Sequence, residues 1–230
     1  MFAYFGTKRS IAHLYPEPVY DTIIEPFCGA ASYSLYWKRW QKQVKLYDIS
    51  PHVVSAWRFL IGATAQDVLS LPILKPEERL TKFKQLSQEE RCFLGFMISA
   101  SSAHRMNQAT EKTRWTERTR KQIVNQLFKV RHWVVERRDF RFIPIEKATW
   151  FVDPPYGDSG HHYAWKLAKT GYTQLATCIT DKWQGQIIVC EKESASWLKF
   201  EPLCRVQAAG GKYKKAGNIY TEGLYHRIDV

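Results

Sequence analysis

The stretch WFVDPPYGD, Trp150 to Asp158, places a carboxylate, two prolines and an aromatic ring directly after an apolar run. Proline lacks an N–H and has a locked φ, so the pair stops a sheet strand at once. The plain alternative is a strand followed by a turn. The chemical reading is more specific. An ionised Asp153 accepts one hydrogen bond, and the Pro154 carbonyl, held by its own ring and by Pro155, accepts another. The Tyr156 ring can stack on a planar base. Two acceptors beside a ring match the exocyclic amine of a nucleobase, which has two hydrogens to donate.

A second stretch, IEPFCGAAS from Ile24 to Ser32, joins an apolar strand to a helix through Gly29. A glycine there permits a tight turn and close backbone approach, the design of a nucleotide-type cofactor site. Strand-to-helix turns without ligands are also common, and the stretch lacks the dinucleotide glycine pattern. Asp48 ends the next strand, 19 residues after Gly29. An acidic residue there bonds ribose hydroxyls, or else simply caps the following helix. Asp139 and Phe140 follow a third strand in the equivalent position. They suit the amine and the face of an adenine ring, or an exposed aspartate beside a core phenylalanine.

These groups need strands to carry them. DTIIEPF (Asp21–Phe27) and VKLYDI (Val44–Ile49) read as buried strands, followed by helices over ASYSLYWKRWQ and HVVSAWRFLIG. This βαβα order predicts a parallel sheet covered by helices. From about Leu71 to Lys129 the strand signal fades. Ser87 and Glu90 form a capping-box pattern before CFLGFMISA, and Ile123, Val124, Leu127 and Phe128 share one face of a basic helix. Strands resume at HWVVERRDF, ATWFVDPPY and GQIIVCE, with a helix over Leu167–Trp183 and a closing strand at EGLYHRIDV. The expected division is a catalytic domain over 1–65 and 130–230, with a helical recognition lobe over 66–129 inserted in it.

The chain has 230 residues, enough for one well-filled core. Its formal charge is +12 and its pI about 9.5, which suggests a polyanionic partner, most simply nucleic acid. Arg105 to Lys147 holds 12 basic and 5 acidic residues, more than half of that surplus. The five cysteines are widely spaced without zinc-ligand intervals and read as reduced, mostly buried thiols. No signal-peptide pattern opens the chain, and its longest apolar run is far too short to span a bilayer.

DPPY after an apolar strand, with EPFCGAAS upstream, resembles the amino-methyltransferases that use S-adenosylmethionine. YFGTKRS (Tyr4–Ser10) ahead of the first strand, and the insertion between Asp48 and DPPY, resemble the Dam-like, D12-class DNA adenine-N6 methyltransferases. IIVCEKESASWLKF and EGLYHR are similar to the last third of small members of that class. The resemblance implies a Rossmann-like α/β fold, with a mixed, mostly parallel sheet, helices on both faces and a small helical target-recognition lobe.

It also implies S-adenosylmethionine contacts at Tyr4, Phe5, Gly6, Lys8, Glu25, Pro26, Phe27, Gly29, Ala30, Ser32, Asp48, Ile49, Asp139, Phe140 and Asp153. Asp153, Pro154, Pro155 and Tyr156 carry the transfer, and no metal is required. The partner is duplex DNA with the target base flipped out. It is gripped by candidates Lys8, Arg105, Arg114, Arg118, Arg120, Lys121, His162 and Tyr163. For each arginine or lysine of the insertion, a solvated helix face is the alternative. The protein is expected to be a cytoplasmic monomer with no membrane contact, in a prokaryotic or virus-infected cell, serving restriction–modification or viral DNA protection. RNA base methylation, an inactive DNA-binding relative and cytosine N4 as target are the rival readings. Two positions depart from the family: Thr7 and Ala31 each replace an expected glycine. Ala31 fits its turn only if φ stays negative or strain is tolerated.

Overall fold

The computed structural model describes residues 1, 2, 4, 6–99, 105–157, 167–207 and 219–229. Seven strands form one sheet: β1 (Thr22–Glu25), β2 (Gln43–Asp48), β3 (Val134–Arg137), β4 (Lys147–Val152), β5 (Gln184–Lys192), β6 (Glu201–Gln207) and β7 (Ile219–Ile228). Their order is β3-β2-β1-β4-β5-β7-β6. The first five are parallel, while β7 runs antiparallel to both β5 and β6. The order reverses between β1 and β4, the switch point where a doubly wound sheet opens a crevice. β6 carries no clear alternation and was not anticipated; its residues are mostly exposed or half-buried along the sheet edge.

Period-two alternation sends successive side chains to opposite faces. Ile23, Phe151 and Ile188 join one cluster, with Val53, Trp57 and Leu60 of α2 (Pro51–Gly62) and Phe93 and Leu94 of α4 (Gln88–Met97). Ile24, Trp150, Val152 and Ile187 join the other, with Leu175 of α6 (Lys169–Thr177) and Trp183. Trp150 and Trp183 stack at 4.5 Å. Such pairs add about 1 kcal/mol beyond burial. The fold is therefore Rossmann-like α/β, with helices on both faces.

The helix expected after Gly29 is short. α1 covers only Ser32–Leu35. Tyr36 is extended and Trp37 has φ 48°, so the helical path ends there. Arg39 is buried and donates to Ala12 O, Tyr15 O and the Glu17 carboxylate. Those bonds tie the turn to the N-terminal segment in place of further helix.

In the 66–129 segment lie α3 (Ala65–Ser70), α4 and α5 (Glu117–Val124). The Ser87 hydroxyl accepts from Glu90 N, and the Glu90 carboxylate accepts from Ser87 N, completing the expected capping box. Leu71, Leu80, Phe93, Trp115 and Ile123 belong to the same cluster as Trp57, so the segment shares the main core. Ile123 and Leu127 point inward, but Phe128 is 59% exposed against Trp40. The end of α2 is held by Arg131, which donates to Ile61 O and Ala63 O just before β3 begins. Arg120 likewise donates to Leu69 O and Leu71 O. α5 is thus anchored to the end of α3.

Candidate active site

A cavity of 280 Å³ opens at the carboxyl ends of β1, β2, β3 and β4. Its lining contains Tyr4, Gly6, Lys8, Glu25, Pro26, Phe27, Gly29, Ala30, Ser32, Asp48, Ile49, Asp139, Phe140, Asp153 and Pro155. Glu25 to Pro155, 130 positions apart, are brought together because each of these residues ends or follows a strand whose carboxyl end faces the same crevice, and Tyr4, Gly6 and Lys8 join them from the segment before β1. Phe5, His162 and Tyr163 lie outside the described residues.

The loop after β1 is tightly wound. Gly29 has φ 43°, and an added Cβ would come 2.9 Å from Tyr4 Cδ1. Both its conformation and its contact with Tyr4 therefore require glycine. Ala31 has φ 47°, so this position is left-handed and its strain is borne by a residue with a Cβ. Thr7, the other departure, shares a 2.6 Å hydrogen bond between its hydroxyl and that of Ser32, tying the N-terminal segment to α1.

Asp48 accepts from Gly29 N at 3.1 Å and from Ser50 N at 2.9 Å. Its carboxylate thus holds the loop and Ser50, the residue that caps α2, while Asp48 also lines the cavity. Burial pushes the Asp48 carboxyl up to about 6 despite those donors. Glu25 is buried and accepts from Ser34 N and Ser34 Oγ. Desolvation raises the Glu25 carboxyl to about 8. Asp139 is already engaged: Arg141 donates to both of its oxygens, at 2.8 and 2.6 Å. That pairing holds the Asp139 carboxyl below its ordinary range. The rings of Phe27 and Phe140 pack at 5.5 Å on the same side of the cavity.

Asp153 emerges from β4 with 22% of its side chain exposed. Lys8 Nζ lies 2.9 Å from its Oδ1 and donates to Gly6 O. Loss of water raises the Asp153 carboxyl to about 6, and Lys8 only partly opposes that. The carbonyl of Pro155 accepts from the Tyr172 hydroxyl, which pins the diproline turn to α6. Tyr156 is 7% exposed, with the Lys8 ammonium 4.3 Å from its ring centroid. One face of the ring is therefore already covered by a cation.

Two residues of the site carry no individual signal in the sequence. Glu222 on β7 is fully buried, and its Oε1 accepts from Tyr15 Oη at 2.7 Å and from Tyr156 Oη at 2.5 Å. Its trace is its place at the head of EGLYHR, an acidic residue at an inward position of the closing strand. Tyr15 lies in a loop 207 positions from Glu222 and offers no trace.

The proposed polyanion contacts divide. Arg105 packs over Gly95, and Arg114 N donates to Met97 O at the end of α4. Phe96 in that last turn meets Phe2 and Tyr4, and Tyr4 lines the cavity. Arg118 and Lys121 are exposed on α5. Arg120 is committed to the carbonyls of Leu69 and Leu71 and to Glu117, which removes it as a free phosphate contact. Lys8 is buried within the site.

What the fold and cavity define is a Rossmann-like α/β protein with its crevice at the switch point of the sheet. Among solved structures the chain is similar to a Pseudomonas syringae protein provisionally called a methyltransferase, at 12% identity and TM-score 0.41 over 96% of both chains. It is also similar to a Haemophilus influenzae protein provisionally called a methylase, at 11% identity and TM-score 0.39, over 96% of this chain and 92% of that one. At TM-scores this low the likeness carries no argument about activity. No family model and no curated protein matches the chain.

Proposed function

We propose that the protein is an S-adenosylmethionine-dependent methyltransferase acting on the N6 amine of adenine in duplex DNA. The observation that carries this reading is Asp153, at the carboxyl end of β4 beside β1, facing the cavity with the diproline turn locked behind it. When bound, S-adenosylmethionine supplies an electrophilic methyl group. The cavity suits such a ligand. Gly29 lets the backbone come close, Phe27, Ile49 and Phe140 offer apolar faces, and Glu25, Asp48, Asp139 and Asp153 surround it with carboxyl groups. Carboxyl groups suit a cation and sugar hydroxyls and disfavour polyphosphate.

In this reading Asp153 and the Pro154 carbonyl accept the two hydrogens of the target amine. They favour its pyramidal form and the positive charge that develops on it. The face of Tyr156 opposite Lys8 supports the base. DNA approaches over the carboxyl edge, past Arg105 and Arg114, with the target base flipped toward Asp153.

The test is methyl transfer from radiolabelled S-adenosylmethionine into duplex DNA, with RNA in a parallel arm. Asp153→Ala is expected to lower transfer by about a hundred- to a thousandfold while cofactor affinity persists. An Asp153→Ala protein as active as the parent would overturn the assignment, and transfer to RNA alone would move the substrate class.

A further inference from the structure

The buried carboxylate of Glu222 has no role in the reading above, yet it touches two of that reading's parts. Leaving a carboxylate in a sheet interior is costly unless it is well paired, and an apolar side chain there would pack without that cost. Glu222 is fully buried on β7, between β5 and β6 in the sheet. A single oxygen, Oε1, accepts from Tyr15 and Tyr156 and lies 3.6 Å from Lys8 Nζ. The same Lys8 ammonium lies 2.9 Å from Asp153 and over the Tyr156 ring.

We propose that Glu222 is a positioning residue for the transfer: it holds the Tyr156 ring by its hydroxyl and draws Lys8 against Asp153, so that one buried carboxylate sets both the stacking face and the amine acceptor. This rests on the methyltransferase reading. The bond to the Tyr156 hydroxyl fixes the position to which the ring swings, and the ammonium lies over one face of that ring. The hydroxyl of Tyr156, and not its ring alone, thereby acquires a function.

The acidity of Asp153 answers to the same cluster. It faces Lys8 from the N-terminal segment, Glu25 from β1, Cys190 and Glu191 from β5, Tyr220 and Glu222 from β7, and the phenols of Tyr15 and Tyr156. The negative charge of Glu222 raises the Asp153 carboxyl, and Lys8 lowers it.

Glu222→Gln keeps the shape and an acceptor oxygen but removes the charge. Its transfer rate is expected to fall about tenfold, the difference between a hydrogen bond to a charged acceptor and one to a neutral acceptor, with cofactor affinity little changed. With a like charge gone, the acid limb of its pH–rate profile moves to lower pH, which a merely structural role would not cause. Tyr156→Phe is expected to cost less in the Glu222→Gln background than in the parent, because there the hydroxyl meets a neutral amide oxygen instead of a carboxylate. A Glu222→Gln protein with the parent's rate and an unmoved acid limb overturns the proposal. Should that variant fail to fold, Tyr156→Phe alone reads the same bond, and a parental rate overturns it.

If the parent transfers no methyl group to DNA or RNA, the functional reading fails by itself. The positioning role is then judged by nitrogen-15 NMR of the Lys8 ammonium. Slowly exchanging protons in the parent, lost in Glu222→Gln, uphold it, and protons equally protected in both overturn it.

Discussion

Lys8 Nζ and Asp153 Oδ1 lie 2.9 Å apart across 145 residues of chain, the ammonium 5% exposed and the carboxylate 22%. Two effects of opposite sign meet at this pair. Desolvation raises the Asp153 carboxyl and the Lys8 charge lowers it, with a net position near 6. An amine acceptor must be ionised, so transfer is expected to rise with pH and level off above about 6. Lys8→Met removes the opposing charge, and its acid limb is expected to lie at higher pH. Rate profiles of the two proteins check this, and coincident limbs would remove Lys8 from the electrostatics of Asp153.

Glu25 gives a prediction about stability. Its folded-state carboxyl sits near 8, above its ordinary 4.5, so the folded protein holds this proton more tightly than the unfolded chain. The contribution is full below pH 4.5 and is lost as pH rises through 8. Glu25→Gln retains an acceptor for Ser34 and has no proton to lose. Its stability relative to the parent is expected to improve steadily between those limits, by a total on the order of a few kcal/mol. Urea melts at pH 5 and pH 9 measure the difference, and a pH-independent difference would contradict it.

Ala31 carries a left-handed backbone with φ 47° at the head of α1. Glycine adopts this region freely, whereas a Cβ crowds the neighbouring carbonyl. Ala31→Gly is expected to stabilise the protein by about 1 kcal/mol, net of the added freedom of the unfolded chain. A denaturant midpoint that fails to rise, with an unchanged slope, would show that the surrounding loop has absorbed the strain.

The basic residues separate by element. Arg105 packs over Gly95 and Arg114 N bonds Met97 O near the end of α4, whereas Arg118 and Lys121 are exposed on α5. Charge reversal at Arg105 and Arg114 is expected to reduce the slope of log affinity for duplex DNA against log salt by about 2. Reversal at Arg118 and Lys121 is expected to leave it nearly unchanged. Titration at several salt concentrations distinguishes the pairs, and the opposite ranking would place DNA on α5.

Local chemistry made much of this legible. Ser87 and Glu90 announce the start of α4, since a capping box is completed within four residues. Pro154 and Pro155 announce the end of β4 because neither can donate to a ladder. The helix after Gly29 was read too long. Its apolar periodicity continues past Leu35, but Arg39 is drawn away by carbonyls of Ala12 and Tyr15 more than 20 residues distant. β6 went unread because its edge position leaves its side chains largely in water, without the alternation that burial imposes.

The sequence by itself determined the parts: a glycine loop after β1, Asp48 after β2, Asp139 and Phe140 after β3, and the acceptor turn after β4. Each follows from a residue and its immediate neighbours, because strand ends, caps and turns are set by contacts only a few positions apart. Only the tertiary structure decided how those parts are held. Asp48 spends its oxygens on Gly29 and Ser50, Asp139 is paired with Arg141, and Tyr156 points its hydroxyl at Glu222. A carboxylate's partner is whichever donor the packed sheet brings within about 3 Å. For Glu222 those donors come from 207 and 66 residues away. No local pattern encodes a meeting that arises when β7 slots between β5 and β6.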